Sequence, residues 1–127
     1  MQFGEGGAGT FSDGKLNTLV KDKFGRSRYV LETFVKFGAP EDILYVAKPH
    51  VGTDVLRDVI SRMRQEIIRL GGTFHFSTKV TDLHIEDGRI SKIELNHKEW
   101  KDVSGVILAI GHSARDTFEM LYERKVR

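Results

Sequence analysis

The 127-residue chain carries 20 Lys and Arg against 18 Asp and Glu, a formal net charge of +2. This near balance produces no strong field, so neither nucleic acid nor a membrane surface is an expected partner. The chain holds no cysteine, which excludes disulfides, thiolate metal sites and cysteine catalysis, and fits a reducing, cytoplasmic location. No apolar run approaches membrane-spanning length, and no signal peptide is evident. Length and composition fit one domain, or a piece of one.

The first half of the chain predicts a loop followed by two helices. Residues 1–24 are polar and rich in glycine, and we expect them to form a loop, whereas residues 25–127 carry regular apolar patterns. Apolar residues at intervals of three and four predict a helix over 26–37. The same spacing predicts a longer helix over 54–70, with Thr53 as its N-cap.

The middle of the chain predicts an antiparallel β-meander over 73–103. Apolar and polar residues alternate from residue 73 onwards, and the pair Asp87-Gly88 is a strong signal for a hairpin turn. A slip in the alternation between Ile90 and Ile93 indicates a β-bulge on the return strand.

The C-terminal part predicts one buried strand and a last helix. Residues 106–110 form a continuous apolar run, typical of a strand covered on both faces in a parallel sheet, and residues 73–77 could be its neighbour. A helix is predicted over 113–123, with Ser113 and Asp116 forming a capping box. The expected fold class is therefore α+β: helices packed on an antiparallel meander, plus strands of an incomplete parallel sheet.

The N-terminal loop contains the letters of two nucleotide-binding motifs. GxGxxG fits residues 4–9 and GxxxxGK fits residues 9–15. Each motif works only as the turn between a strand and a helix, and only three residues precede Gly4. The second motif also requires Ser or Thr where this chain has Leu16. Two interpretations stay open: a glycine-rich leader without a ligand, or a loop that lies against a cofactor and lacks its upstream half.

Two further groups of residues suggest chemistry near helix starts. Residues 111–115, GHSAR, are close to the GxSxG nucleophile elbow of serine hydrolases, although Arg115 replaces the last glycine. Ser113 is thus either a nucleophile or only a helix cap. His50 and His112 each lie close to a glycine just before a predicted helix, where the N-terminus favours anions. No histidine spacing suits a metal, and none is expected.

Three blocks of sequence, in this order, resemble one known family. They are FGEGGAGTFSDGKL at 3–16, KPHVGTD at 48–54 and AIGHSARDT at 109–117. Together they are similar to the bacterial family of uncharacterised FAD-dependent dehydrogenases. Members of that family resemble other two-domain flavoproteins, are much longer than this chain, and begin with a strand and glycine-rich turn that hold the FAD pyrophosphate. The resemblance implies that the sequence is an internal fragment of such an oxidoreductase.

The resemblance also implies a cofactor, FAD, and a set of residues that contact it. In a Rossmann-like FAD-binding domain, the residues against the flavin end would be Gly6, Gly7, Ala8, Gly9, Thr10 and Ser12. Val80 would meet the adenine through its backbone, while Gly111 and His112 would return the chain to the cofactor. His50 and Arg115 are candidates for contacts with the flavin or with a small-molecule substrate. The resemblance defines no catalytic residue.

The fragment interpretation has consequences for the isolated chain. Without a pyrophosphate site we expect it to bind FAD weakly or not at all and to be inactive alone. Exposed strand edges would favour a homodimer. Two alternatives come from other classes of protein: a non-enzymatic interaction or regulatory module with a flavoprotein-like fold, and a serine hydrolase that uses Ser113.

Overall fold

The computed structural model describes residues 5–7, 16, 21–46 and 50–126. The chain divides into two compact units, an N-terminal unit that ends at Phe74 and a C-terminal unit that begins at His75. This division falls inside the region 25–127. Helices and an antiparallel sheet are both present, so the predicted α+β class is confirmed.

The N-terminal unit is helical. Helix α1 spans Arg26–Lys36, a short 3-10 helix spans Glu41–Leu44, and α2 spans Thr53–Arg69, so both predicted helices are confirmed to within one residue. The prediction of Thr53 as the N-cap is wrong, because the cap is Gly52 and Thr53 already belongs to the helix. The physical reason is that Gly52 adopts a φ of 81°, which lets the chain turn into the helix one residue earlier.

An apolar cluster forms the core of this unit. Its buried members come from the 3-10 helix, α2 and the segments that precede them: Ala39, Ile43, Val51, Leu56 and Val59. Ile43 and Val59 are the largest fully buried side chains, at 1% and 0% exposure. Phe34 of α1 and Met63 of α2 pack against the cluster. The removal of this apolar surface from water is the main source of stability that the unit has.

The C-terminal unit contains a three-stranded sheet and one helix. Strands β1, β2 and β3 span Val80–Glu86, Arg89–Leu95 and Glu99–Asp102, and they pair antiparallel in the order β1-β2-β3. Helix α3 spans Arg115–Glu123 and packs against β1. The predicted meander and the predicted last helix are therefore present.

The turn and the bulge of the first hairpin follow the prediction. Asp87 and Gly88 both adopt positive φ angles, 48° and 75°, as a two-residue type I′ turn requires. His84 pairs with Lys92 and the next residue of β1 pairs with residue 90, which leaves Ser91 as the extra residue of a bulge on β2.

The two predicted parallel strands are absent. Within residues 50–126, neither 73–77 nor 106–110 forms a strand, so these predictions are wrong. A strand requires a neighbour to bond its backbone, and the described part of this unit contains only the three antiparallel strands. The apolar run is left uncovered, and the side chain of Ile107 is 95% exposed.

The predicted capping box of α3 is also absent. Ala114 is the N-cap of α3 and gives no side-chain hydrogen bond to the helix. Asp116 is engaged elsewhere, since its carboxylate accepts a hydrogen bond from the Lys79 ammonium and another, at 2.8 Å, from the Thr117 N–H. None of the helices in the described ranges is both long and apolar enough to cross a bilayer.

Candidate functional site

Residues 5–7, the described start of the N-terminal glycine-rich loop, contact α2 through an ion pair. Gly6 and Gly7 adopt φ angles of 83° and 58°, in the region that disfavours residues with a Cβ. Next to them, the Glu5 carboxylate accepts a hydrogen bond of 2.9 Å from the guanidinium of Arg64 on α2. Only 26% and 32% of these two side chains are exposed, so the pair is partly shielded from water. This ion pair fixes the start of the segment on the second turn from the end of the helix.

Open space lies beside Gly7 at the position that a Cβ would occupy. A Cβ placed there would meet no atom within 4 Å. The left-handed conformation, rather than crowding, is therefore what selects glycine at this position, and the absence of side chains lets a planar ligand approach the backbone closely. Four other residues predicted to contact the cofactor lie outside the described residues: Ala8, Gly9, Thr10 and Ser12.

His50 lies just before the N-terminus of α2. It is exposed, whereas the neighbouring Val51 is buried in the apolar cluster at 4% exposure. The buried Val51 fixes the backbone that carries the imidazole. Helix α2, whose N-terminus is the positive end of the helix dipole, begins at Thr53, three residues after His50. The local geometry thus suits contact between His50 and a polar or anionic ligand.

Val80 is the first residue of β1, at the edge of the sheet. It pairs with Leu95 of β2. The preceding residue is held tightly, because the Lys79 N–H donates to Asn96 Oδ1 at 2.8 Å and its carbonyl accepts from the Asn96 N–H at 2.9 Å. The start of β1 is therefore a rigid, strand-like segment, as a contact made through its backbone would require.

A cleft of about 270 Å³ lies between the start of β1 and α3, inside the C-terminal unit. Two ion pairs cross it: Lys79 with Asp116, and Arg124 with Asp82. The second pair has two contacts, of which the one between Arg124 Nε and Asp82 Oδ1 measures 2.7 Å. The hydrogen bond from Arg124 holds the pKa of Asp82 below its ordinary value, and the hydrogen bond from Lys79 does the same to the pKa of Asp116.

A hydrogen-bond network links the cleft to the second hairpin turn. The Thr81 hydroxyl donates to Glu94 Oε2 at 2.7 Å and accepts from the His97 N–H at 2.9 Å. His97 lies in the turn with a φ of 56°, and its ring is 3.4 Å from the Glu94 carboxylate. Sequence analysis missed this cleft because its ion pairs join residues 37 and 42 positions apart, a separation that leaves no local pattern.

The segment before α3 contains the remaining predicted residues. Gly111 has a φ of 69°, His112 is exposed, and Arg115 is the first residue of the helix. Ser113 is exposed, and its carbonyl accepts a hydrogen bond of 3.0 Å from the Arg115 N–H. The nucleophile elbow of serine hydrolases requires a strand before this turn, and the described residues 106–110 form none.

The predicted site residues are distributed over both units. Those in the described part of the N-terminal unit are Gly6, Gly7 and His50. Those in the C-terminal unit are Val80, Gly111, His112 and Arg115. In the part of the chain that the structure describes, no group of three or more His, Asp or Glu side chains could hold a metal ion.

Comparison with known proteins finds a longer bacterial relative. The chain is 49% identical, over 126 residues, to an uncharacterized protein from Clostridium beijerinckii. The match covers 99% of this chain but only 23% of the Clostridium protein, so the chain spans about a quarter of the length of this relative. No family profile matches the sequence.

Proposed function

We propose that this chain is part of an FAD-dependent oxidoreductase, a dehydrogenase whose substrate is a small molecule. The observation that carries the proposal is the order of the three sequence blocks at 3–16, 48–54 and 109–117. The match to a bacterial protein about four times as long is in line with a part of a larger enzyme.

The described residues fit such a cofactor. Gly6 and Gly7 both adopt a left-handed backbone, and the space beside Gly7 is open at the position a Cβ would take, which suits close contact with the flavin end of FAD. Val80 begins a rigid edge strand, which suits a backbone contact with the adenine. When bound, the flavin would supply the redox chemistry, and the protein would bind and orient it and exclude water. His50 and Arg115, both exposed beside helix starts, would contact the flavin or the substrate.

The proposal extends to the behaviour of the isolated chain. We propose that it binds FAD weakly and is inactive alone, because a cofactor of this size needs a pyrophosphate site as well as the contacts above. We also propose a cytoplasmic location, which the absence of cysteine supports. The competing function is a non-enzymatic module with the same fold. In that case neither the isolated chain nor a longer protein that contains it would bind flavin.

The test is a titration of FAD into two purified proteins, the 127-residue chain and the longer Clostridium relative, followed by flavin fluorescence and calorimetry. The expected result is tight binding by the longer protein and weak or undetectable binding by the short chain. No binding by either protein would contradict the flavoenzyme and favour the non-enzymatic module.

A matched pair of variants assigns the binding to the glycine segment. A chimera is first made in which these 127 residues replace the matching part of the Clostridium protein. The substitutions Gly7→Ala and Gly25→Ala are then introduced into that chimera. Both glycines have positive φ, 58° and 68°, and both have open space at the Cβ position, so the backbone strain is alike. We expect Gly7→Ala to weaken FAD binding about tenfold or more, whereas Gly25→Ala leaves it unchanged. Equal effects of the two variants on FAD binding would contradict a contact between Gly7 and FAD.

A further inference from the structure

A groove of about 420 Å³ lies between the sheet and the end of α3, within the C-terminal unit. We call it the Trp100 groove, because the indole of Trp100 forms part of its wall and is 46% exposed. Leu83, His84 and Ile85 of β1 line it as well. Small-molecule sites occupy about 300–1,000 Å³ and are lined mainly by apolar and aromatic side chains. Among the described residues, none that we propose to contact FAD lines this groove.

Trp100 and His84 give the groove two aromatic walls at a right angle. Their ring centroids are 6.4 Å apart and the ring planes meet at 87°. In the register of the sheet, Trp100 lies opposite Glu94, which lies opposite Asp82, two residues before His84. Both rings therefore project from the same face of the sheet. A flat ring that lies on the indole has its edge free to face the imidazole, an arrangement that aromatic side chains favour.

The bulge of β2 holds the imidazole in place. Bulges redirect side chains and are common beside functional sites. Ser91, the extra residue of the bulge, has its hydroxyl 2.9 Å from His84 Nδ1, and its carbonyl accepts a hydrogen bond of 2.9 Å from the Val103 N–H. The described residues give His84 Nε2 no hydrogen bond. This nitrogen, a donor or an acceptor in the neutral imidazole, is the one that a ligand would meet.

The charges around the groove are balanced. Asp82 and Glu123 are matched by Arg124 and Lys125, and Asp82 is already paired with Arg124. Binding sites for nucleic-acid strands combine aromatic platforms with a groove of positive charge, which this lining does not provide. The balance therefore favours an uncharged ligand over a phosphorylated one.

We propose that the Trp100 groove binds a small, uncharged, planar heterocycle with hydrogen-bonding groups at its edge, of the kind that a nucleoside carries. The heterocycle stacks on the Trp100 indole and bonds to His84 Nε2 through its edge, and Ser91 keeps the imidazole in position. The proposal depends on no flavin and on none of the residues assigned to FAD.

A titration of inosine into the 127-residue chain tests the proposal. Trp100 is the only tryptophan, so its fluorescence reports on the groove itself. We expect saturable quenching with half-saturation below about 1 mM, because base stacking on an aromatic ring is favourable. Inosine is not part of FAD, so its binding stands or falls separately from the flavin titration. No saturable binding of inosine would overturn the proposal.

Variants studied by calorimetry place the ligand. Trp100→Ala and His84→Ala should each weaken inosine binding about tenfold or more, and Trp100→Phe, which keeps a ring in β3, should weaken it less. The control is Tyr122→Ala, which removes an aromatic side chain that is 85% exposed on α3 and does not line the groove. It should leave binding unchanged. Equal effects of Tyr122→Ala and His84→Ala, in proteins with the same melting temperature, would overturn the site.

A second pair of variants tests the bulge. Ser91→Ala removes the hydroxyl that holds His84 and should weaken inosine binding about threefold, with little change in melting temperature. Ser104→Ala, at an exposed position after β3, is the matched control and should have no effect. Unchanged binding by Ser91→Ala would overturn the role given to the bulge.

Two further probes test the charge of the ligand. Inosine monophosphate should bind no more tightly than inosine, and a uridine oligonucleotide should bind more weakly, both with little dependence on salt. Tighter binding of the monophosphate would overturn the preference for an uncharged ligand. Tighter, salt-dependent binding of the oligonucleotide would overturn it in favour of a nucleic-acid strand.

Discussion

The two units of the chain are stabilised in different ways. The described residues of the N-terminal unit bury five side chains in one apolar cluster, whereas those of the C-terminal unit bury Leu83, Ala114 and Thr117. In the C-terminal unit, two ion pairs connect the region of α3 with the region of β1: Asp116 of α3 pairs with Lys79, just before β1, and Asp82 of β1 pairs with Arg124, just after α3. The contrast shows that half of this chain has an apolar core of its own, while the other half keeps much of its apolar surface uncovered.

The largest expected effect is in the apolar cluster. Ile43→Ala should lower the free energy of unfolding of the N-terminal unit by about 2–5 kcal/mol, because it removes a side chain that is 1% exposed and leaves a cavity. Ile68→Ala, at a position of α2 that is 52% exposed, is the matched control and should cost far less. Urea unfolding followed by far-UV ellipticity, which α1 and α2 dominate, measures the difference. Equal effects would mean that the cluster is not the core.

A smaller effect is expected at the first hairpin of the C-terminal unit. Gly88→Ala should cost about 1 kcal/mol, because Gly88 has a φ of 75° in the type I′ turn. Gly105→Ala, where a Cβ has open space and no positive φ is required, should be close to neutral. Trp100, the only tryptophan, lies in β3 and reports unfolding of this unit by fluorescence. A neutral Gly88→Ala would contradict the turn type.

The ion pair between β1 and α3 should contribute less again. Asp82→Asn should lower the stability of the C-terminal unit by about 0.5–1 kcal/mol, since exposed or partly exposed pairs contribute little. The control is Glu66→Gln, which removes the local pair of Glu66 with Arg69 on α2. We expect the control to leave the Trp100 transition unchanged. A shift of that transition by the control would mean that Trp100 fluorescence does not report on the C-terminal unit alone.

Acid should weaken the C-terminal unit through the same carboxylates. The folded-state pKa values of Asp82 and Asp116 are lowered by their basic partners, so the unfolded chain takes up protons at higher pH than the folded one. This stabilisation is complete at neutral pH, begins to fall at about pH 4, and is lost as the pH drops through the lowered pKa values. The urea midpoint of unfolding, measured by Trp100 fluorescence, should decrease as the pH is lowered through this range. Asp82→Asn should reduce the slope of this midpoint against pH. A midpoint independent of pH would contradict the role of the pairs.

Local signals predicted most of the fold. The periodicity of α1 and α2, the Asp87-Gly88 turn and the bulge at Ser91 each depend on residues within a few positions of one another, and each prediction is confirmed. The apolar run at 106–110 fulfils the local pattern of a buried strand, yet it forms no strand in the described residues, because pairing depends on a neighbour elsewhere in the chain. The cleft between β1 and α3 was not predicted for the same physical reason. Its charged pairs are set by tertiary packing.

The candidate site was predictable only in its local features. Gly6, Gly7 and Gly111 adopt the positive φ angles that glycine-rich loops near ligands use. Ser113 and Asp116 have the spacing of a capping box. The Asp116 carboxylate instead accepts a hydrogen bond from the ammonium of Lys79, 37 residues away in the sequence. Sequence pattern therefore identifies the conformations that glycine permits, whereas the partners of the charged groups require the fold.

The most direct test of the central claim is the flavin content of the longer Clostridium protein. The protein is purified under native conditions, its mass is measured with and without denaturation, and any released cofactor is identified. The proposed function predicts one FAD per polypeptide, lost on denaturation. A protein that carries no flavin, and takes up none when FAD is added in excess, would contradict the assignment of this chain to an FAD-dependent oxidoreductase.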